Sequence, residues 1–343
     1  MVRWKASILC LFTLAAVFHL WGILKICIGD KFDSSKVENK ERINRMTSNK
    51  NLGENVQEKD HIIYILLTTY FRSGSTFLGE VLQHHSRDIF YHYEPLHHLT
   101  LSTRVTQNHS VDAVNQLENF LRCNFTNAKY LSHVQKKGNE FMFTKNYFLW
   151  EKCKTSEKLC YEPTFMSVVC QEAKIHVMKT VRLPMRYVQA LLEQTSDLDI
   201  RVVYLVRDPR GIFNSRRKLA WCKATNCSSV SVLCQEIEED VQHFYRLQNI
   251  FPGKLSIVRF EDLSYNPLKE TRALFNNLKL QFSEYAKQYL TNHTSVKNAE
   301  KQPFTTYRNS SEIPLQWKQQ LPVSKQKKAQ KSCNKVILAL HYN

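Results

Sequence analysis

Four short runs of β-branched and other apolar residues punctuate the chain: His61–Thr69 (HIIYILLTT), Ile89–Tyr93 (IFYHY), Ile200–Val206 (IRVVYLV) and Ile257–Phe260 (IVRF). Their apolar positions are continuous rather than alternating, which predicts strands buried on both faces of a parallel sheet. Between them the spacing changes. Phe77–Leu82 places apolar residues three and four apart, and Leu233, Ile237, Val241, Phe244 and Leu247 recur at helical spacing, so both segments read as helices packed on a core. Strands interleaved with helices predict an α/β fold with a mainly parallel sheet flanked by helices, over residues 61–343.

The N-terminal part follows other rules. Ala6–Leu24 is nineteen residues without a formal charge, preceded by Arg3 and Lys5 and followed by Lys25. That run is long enough to span a bilayer and exceeds the core of a cleaved signal peptide, its main competitor. We expect a cytoplasmic tail at 1–5, a transmembrane signal anchor at 6–28 and a flexible, charge-balanced stem at 29–60, with everything beyond it lumenal. Asn-X-Ser/Thr triplets at Asn108, Asn124, Asn226, Asn292 and Asn309 are then glycosylation acceptors. Eight cysteines follow the stem, none in a CxxC pair, so disulfides are expected and metal is not. Cys153 with Cys160, and two of Cys222, Cys227 and Cys234, are the local candidates.

Composition narrows the partner. With 43% hydrophobic residues the chain is globular, and 48 Lys plus Arg against 31 Asp plus Glu give it a net charge of +17. Of that excess, +14 lies from His61 onward. A basic domain implies an anionic partner. A lumenal domain disfavours nucleic acid and points to an acidic glycan or a phosphorylated nucleotide.

The first strand runs into Tyr70-Phe71-Arg72-Ser73-Gly74-Ser75-Thr76 and then a helix. Strand, tight loop and helix can cradle a phosphate: Gly74 lets the backbone approach, the helix N-terminus supplies amides, and Arg72 with the hydroxyls of Ser73, Ser75 and Thr76 completes an anion site. An ordinary serine-capped turn is the plain alternative. No G-x-x-x-x-G-K-[ST] occurs, so a nucleoside triphosphatase or kinase is disfavoured. The third run continues Arg207-Asp208-Pro209-Arg210, where Pro209 starts a helix that carries Ser215. Arg207 and Ser215 could converge on a second anion. Arg216, Arg217 and Lys218 read as solvated surface, and Glu80 as a surface or capping residue.

RSGSTFLGE and YLVRDPRGIFNS, with IFYHYEPLHHL between them, resemble the Golgi carbohydrate sulfotransferases that act on the 6-hydroxyl of GlcNAc, Gal or GalNAc; KTVRL, IVRFEDL and TYRNSSEIPLQWKQQL extend the likeness toward the C-terminus. The resemblance implies a P-loop-like sulfotransferase fold, a Golgi type II membrane protein and a glycan acceptor. It also implies 3′-phosphoadenosine 5′-phosphosulfate (PAPS) as donor, with its 5′-phosphosulfate on Arg72, Ser73, Gly74, Ser75 and Thr76 and its 3′-phosphate on Arg207 and Ser215. Thr76 stands where the family more often has serine.

Sulfuryl transfer needs a base for the sugar hydroxyl. Glu94, at the end of the Ile89–Tyr93 strand, is the first candidate, supported by the family's acidic residue in this YEP segment. His97 is the alternative, and His98 a further one, although at least two of His92, His97 and His98 read as packing or surface residues. Glu261 and Asp262 are as readily caps as catalysts. Arg308 is placed at the edge of the donor cleft and Trp317 in the core. A protein that keeps this fold but only binds glycans is the rival reading.

Overall fold

The computed structural model describes residues 61–223, 225–296 and 305–342. The anchor, the stem and their topology lie outside the described residues; within these, no helix is long and apolar enough to cross a membrane.

Five strands form one parallel sheet: β1 (Ile63–Thr68), β2 (Ile89–Tyr93), β3 (Ile175–Thr180), β4 (Asp199–Val206) and β5 (Leu255–Arg259), in the order β2-β3-β1-β4-β5. The four apolar runs all became strands. β3 was not anticipated, because His176 and Lys179 interrupt its apolar pattern. Both are nevertheless buried, since His176 stacks on Tyr64 with ring centroids 4.9 Å apart and Lys179 meets a carboxylate.

The helices that shape the site are α1 (Ser75–Gln83), α2 (Met185–Gln194), α3 (Pro209–Arg216), α4 (Val230–Ile250), α5 (Phe260–Tyr265), α6 (Glu284–Thr294), α7 (Gln316–Gln320) and α8 (Val323–Ser332). The expected α4 stripe is buried at every position. Leu67 of β1, Val203 of β4, Leu78 of α1 and Leu263 of α5 share one core cluster, so the strands under the two loops and the helices after them are packed as a unit.

All eight cysteines after the stem pair: Cys123–Cys170, Cys153–Cys160, Cys222–Cys227 and Cys234–Cys333. Both local expectations are met. The last bridge closes 99 residues and fastens α4 to the segment after α8. Closing so long a loop contributes on the order of 4–5 kcal/mol in chain-entropy terms.

Candidate active site

β1 and β4 are parallel neighbours with Thr68 opposite Tyr204, so the segments that leave them emerge side by side at the carboxyl edge of the sheet. In open α/β sheets this edge is where ligands bind. Thr69 Oγ1 lies 2.6 Å from both the Leu205 carbonyl and Ser73 Oγ, and Ser73 Oγ donates to the Tyr70 carbonyl at 2.8 Å. The Ser73 hydroxyl is fully buried and braces the turn. Two residues then adopt left-handed backbone, Arg72 at φ 73° and Gly74 at φ 97°. Turns of this kind form concavities whose amides take anions. Gly74 is required twice over: its φ favours glycine, and a Cβ there would come within 2.4 Å of the Phe260 ring.

Arg72 is not glycine, and its backbone costs on the order of 1–3 kcal/mol unless the surroundings hold it. The second loop does so. Arg207 Nη1 donates to the Arg72 carbonyl at 3.0 Å, and Arg72 Nε donates to Ser215 Oγ at 3.0 Å. Asp208 caps α3 by accepting from the Arg210 amide at 2.8 Å, Pro209 opens the helix, and Ser215 lies in its last turn. The Asp208 amide donates to Glu261 Oε1 at 3.0 Å, so Glu261 is a fastening between loops. Arg207 lies over the Phe260 ring at 4.1 Å, and its buried Nε–H has no acceptor among the described residues.

The electrostatics suit an anion. Burial, and then the positive charges of Arg207 and Arg308, push Arg72 down to about 10. Burial also lowers Arg207, opposed by Glu261 and Asp208. Three guanidiniums therefore gather at the two loops, where a doubly charged phosphate would relieve their repulsion. Thr76 Oγ1 is 3.5 Å from the Tyr93 hydroxyl, which joins the first loop to the end of β2.

Glu94 follows β2 with φ 51°, a second strained non-glycine residue beside the loops. Its carboxylate is buried between two cations: Lys179 Nζ donates to Oε1 at 2.5 Å, and Arg182 Nη1 donates to Oε2. Burial alone would raise its pKa, but Lys179, Arg182 and the Val181 amide outweigh it and hold Glu94 below the usual carboxylate range. His97 Nδ1 lies 2.7 Å from His133 Nε2, and burial with the nearby Arg182 and His133 charges lowers His97 to about 4, so it is a neutral imidazole at pH 7. His92 is buried in a stack with Phe120, Phe125 and His176. His92 and His176 also approach Cys170, but that sulfur is bonded to Cys123 and offers no thiolate to a metal.

Two sequence expectations are corrected. Glu80 is buried rather than on the surface: Lys145 bonds Oε1 and the Tyr289 hydroxyl donates to Oε2 at 2.5 Å. Arg216 is buried too, because it reaches under the first loop to donate to the Phe71 carbonyl at 3.0 Å and the Cys227 carbonyl at 3.2 Å. Arg217 and Lys218 are at the surface side of the same turn, and Trp317 is in the core as expected.

A buried network that the sequence reading missed underlies the first loop. Asp240 of α4 accepts from the Tyr70 hydroxyl at 2.8 Å, from Arg104 Nη2 at 2.6 Å and from the Met185 amide at 2.9 Å, and the Tyr70 hydroxyl also meets that of Tyr204. The available signal was an aspartate on the core-facing stripe of a long amphipathic helix. Lys179 and Arg182 lie within KTVRL, and a lysine near the end of a buried strand is the sequence signal for them.

A sulfotransferase domain model matches residues 63–339, which includes every element described above. The chain belongs to the sulfotransferase domain family. It is a sulfotransferase, and its curated relatives are of the carbohydrate-acting branch. Carbohydrate sulfotransferase 1 of Mus musculus is 27% identical over 337 residues, covering 84% of this chain and 80% of the relative. Carbohydrate sulfotransferase 6 of Homo sapiens is 26% identical over 321 residues, covering 82% and 80%. A mouse sulfotransferase solved in complex with PAP aligns at 11% identity over 78% of this chain and 82% of that one, with a TM-score of 0.40.

Proposed function

We propose that this sulfotransferase takes its sulfuryl group from PAPS and places it on the 6-hydroxyl of GlcNAc, Gal or GalNAc in a glycan, as an enzyme of the Golgi lumen anchored by its N-terminal segment. The observation that carries this reading is the interlock of the two anion loops, Arg72 to Ser215 and Arg207 to the Arg72 carbonyl. The residues fit the donor: a glycine cradle at Gly74, an orphan Arg207 Nε–H and three clustered guanidiniums. Arg72, Gly74, Ser75 and Thr76 hold the 5′-phosphosulfate while Ser73 braces their turn, and Arg207 with Ser215 holds the 3′-phosphate. The bound donor supplies an activated sulfuryl group on a phosphate leaving group. The cations oppose the charge that develops on that phosphate. Glu94 accepts the proton of the sugar hydroxyl, kept ionised by Lys179 and Arg182. A lowered pKa makes a weaker base, which suffices if transfer is loose and the proton leaves late, as in phosphoryl transfer.

Assay of the purified protein with labelled donor on GlcNAc-, Gal- and GalNAc-terminated acceptors tests the reading. Labelled sugar 6-sulfate is expected on at least one of them, and transfer to none overturns it. Arg207→Ala should weaken donor binding about ten- to hundredfold, the worth of a charge-assisted contact of roughly 1.5–3 kcal/mol, with poor rescue by Arg207→Lys if the contact is a fork. Unchanged affinity for PAP in the folded variant, measured by calorimetry, would take the second loop out of the site. For the lumenal placement, glycosidase treatment of protein made in cells should lower its apparent mass through the sequons at Asn108, Asn124, Asn226, Asn292 or Asn309; an unchanged mass contradicts it.

A further inference from the structure

Behind α3, on the side of Trp317, lies a cleft of about 550 Å³ lined by Arg210, Trp317, Lys327, Gln330, Lys331 and Asn334. We infer that this cleft is a second carbohydrate site, which binds an acidic saccharide unit bearing sulfate or carboxylate outside the catalytic centre.

Charge is the first observation. From Ile313 to the C-terminus the chain has six lysines and no acidic residue, and four of them, Lys325, Lys327, Lys328 and Lys331, lie on α8. Lys327 with Lys331, and Lys325 with Lys328, are one helical turn apart, an arrangement that destabilises a helix. Among the described residues none of these four meets a carboxylate, whereas Lys335 in the next turn pairs with Glu238 at 2.8 Å. An anion laid along α8 would relieve that repulsion.

The lining adds a second, independent observation. Trp317, a buried residue at 5% exposure, lines the cleft with its ring held in place. The wall is preformed. Asp208, the Gln330 amide oxygen and the Tyr342 carbonyl fix the Arg210 guanidinium, which lies 4.4 Å over the Trp317 ring. Lysines for anionic groups, amides of Gln330 and Asn334 for hydroxyls and a cavity of small-ligand size together describe a site for a charged sugar. A flat lysine row for a nucleic-acid backbone would lack the cavity and the amides, and four disulfides fit an oxidising compartment, where nucleic acid is not the expected partner. The cleft adjoins the second loop, since Trp317 and Arg207 both flank Gly211, but its lining includes none of the residues assigned to the donor, and the proposal does not depend on turnover.

The test is calorimetric binding of a size-defined heparin-derived hexasaccharide to the purified full chain, with polyglutamate and a neutral N-acetyllactosamine hexasaccharide as controls. Binding of the heparin fragment is expected to weaken at least tenfold in Lys327→Ser/Lys331→Ser, and its dependence on salt to fall by about two counterions. Hydrogen exchange should show protection over residues 316–334 when the hexasaccharide binds. A retained melting shift with PAP in each variant shows that fold and donor loops are intact, and Lys287→Ser on α6 controls for loss of charge elsewhere. Equal affinity in wild type and the double variant overturns the site, as does equally tight binding of polyglutamate or the neutral sugar.

Discussion

Glu94→Gln is expected to lower turnover by roughly 10² to 10⁴ while PAP affinity stays within about threefold, because the amide keeps the shape of the side chain and loses its basicity. The surroundings of Glu94 add a condition to the measurement. Lys179 and Arg182 are both buried against this carboxylate, so the variant leaves two cations facing a neutral amide and should also lose stability. Turnover must therefore be read well below the melting temperature of the variant. The pH dependence has a definite sign: Glu94 is depressed in the folded protein, so its stabilising share is complete above the ordinary carboxylate value of 4.5 and is lost as pH falls through the lower folded value. His97→Ala is the companion variant. If it abolishes turnover while Glu94→Gln remains nearly active, the base is the histidine; near-normal turnover in Glu94→Gln alone ends the assignment of Glu94.

Asp240→Ala should cost about 3–5 kcal/mol of stability, the loss typical when one member of a buried ion pair is removed. Asp240 and Arg104 are both almost wholly buried, and the same carboxylate holds the Tyr70 hydroxyl and the first free amide of α2. Tyr70 opens the turn that carries Arg72 and Gly74, so donor affinity should fall together with stability, and Asp240→Asn should retain part of both. Chemical denaturation with and without PAP separates the two effects. A loss below about 1 kcal/mol in Asp240→Ala would show that the network does not support the loop.

Burial on both faces selects continuous apolar runs, which is why four of the five strands and the α4 stripe could be read from the chain. β3 escaped because His176 and Lys179 look polar in sequence and become buried only through partners on β1 and after β2. Glu80 and Arg216 escaped for the same reason: a charged residue reads as exposed unless the distant group that neutralises or accepts from it is known.

Local chemistry is legible along the chain: a glycine turn between strand and helix, an Arg-Asp-Pro turn at the end of another strand, and an acidic residue following a third. Those signals are local because turns, caps and strand ends depend on neighbouring residues. Which of these groups meet depends on how the strands and helices pack. Arg72 contacts Ser215 across 143 positions of sequence, Lys179 reaches Glu94 across 85, and Tyr70 reaches Asp240 across 170. The first two pairings require the strand order β2-β3-β1-β4-β5, which places the ends of β1 and β4 together and β3 beside β2, and the third requires α4 to pack against the first loop. Periodicity says that a strand is buried and is the same for every order of the strands, so the partners of these charges are fixed only when the sheet and its helices have packed.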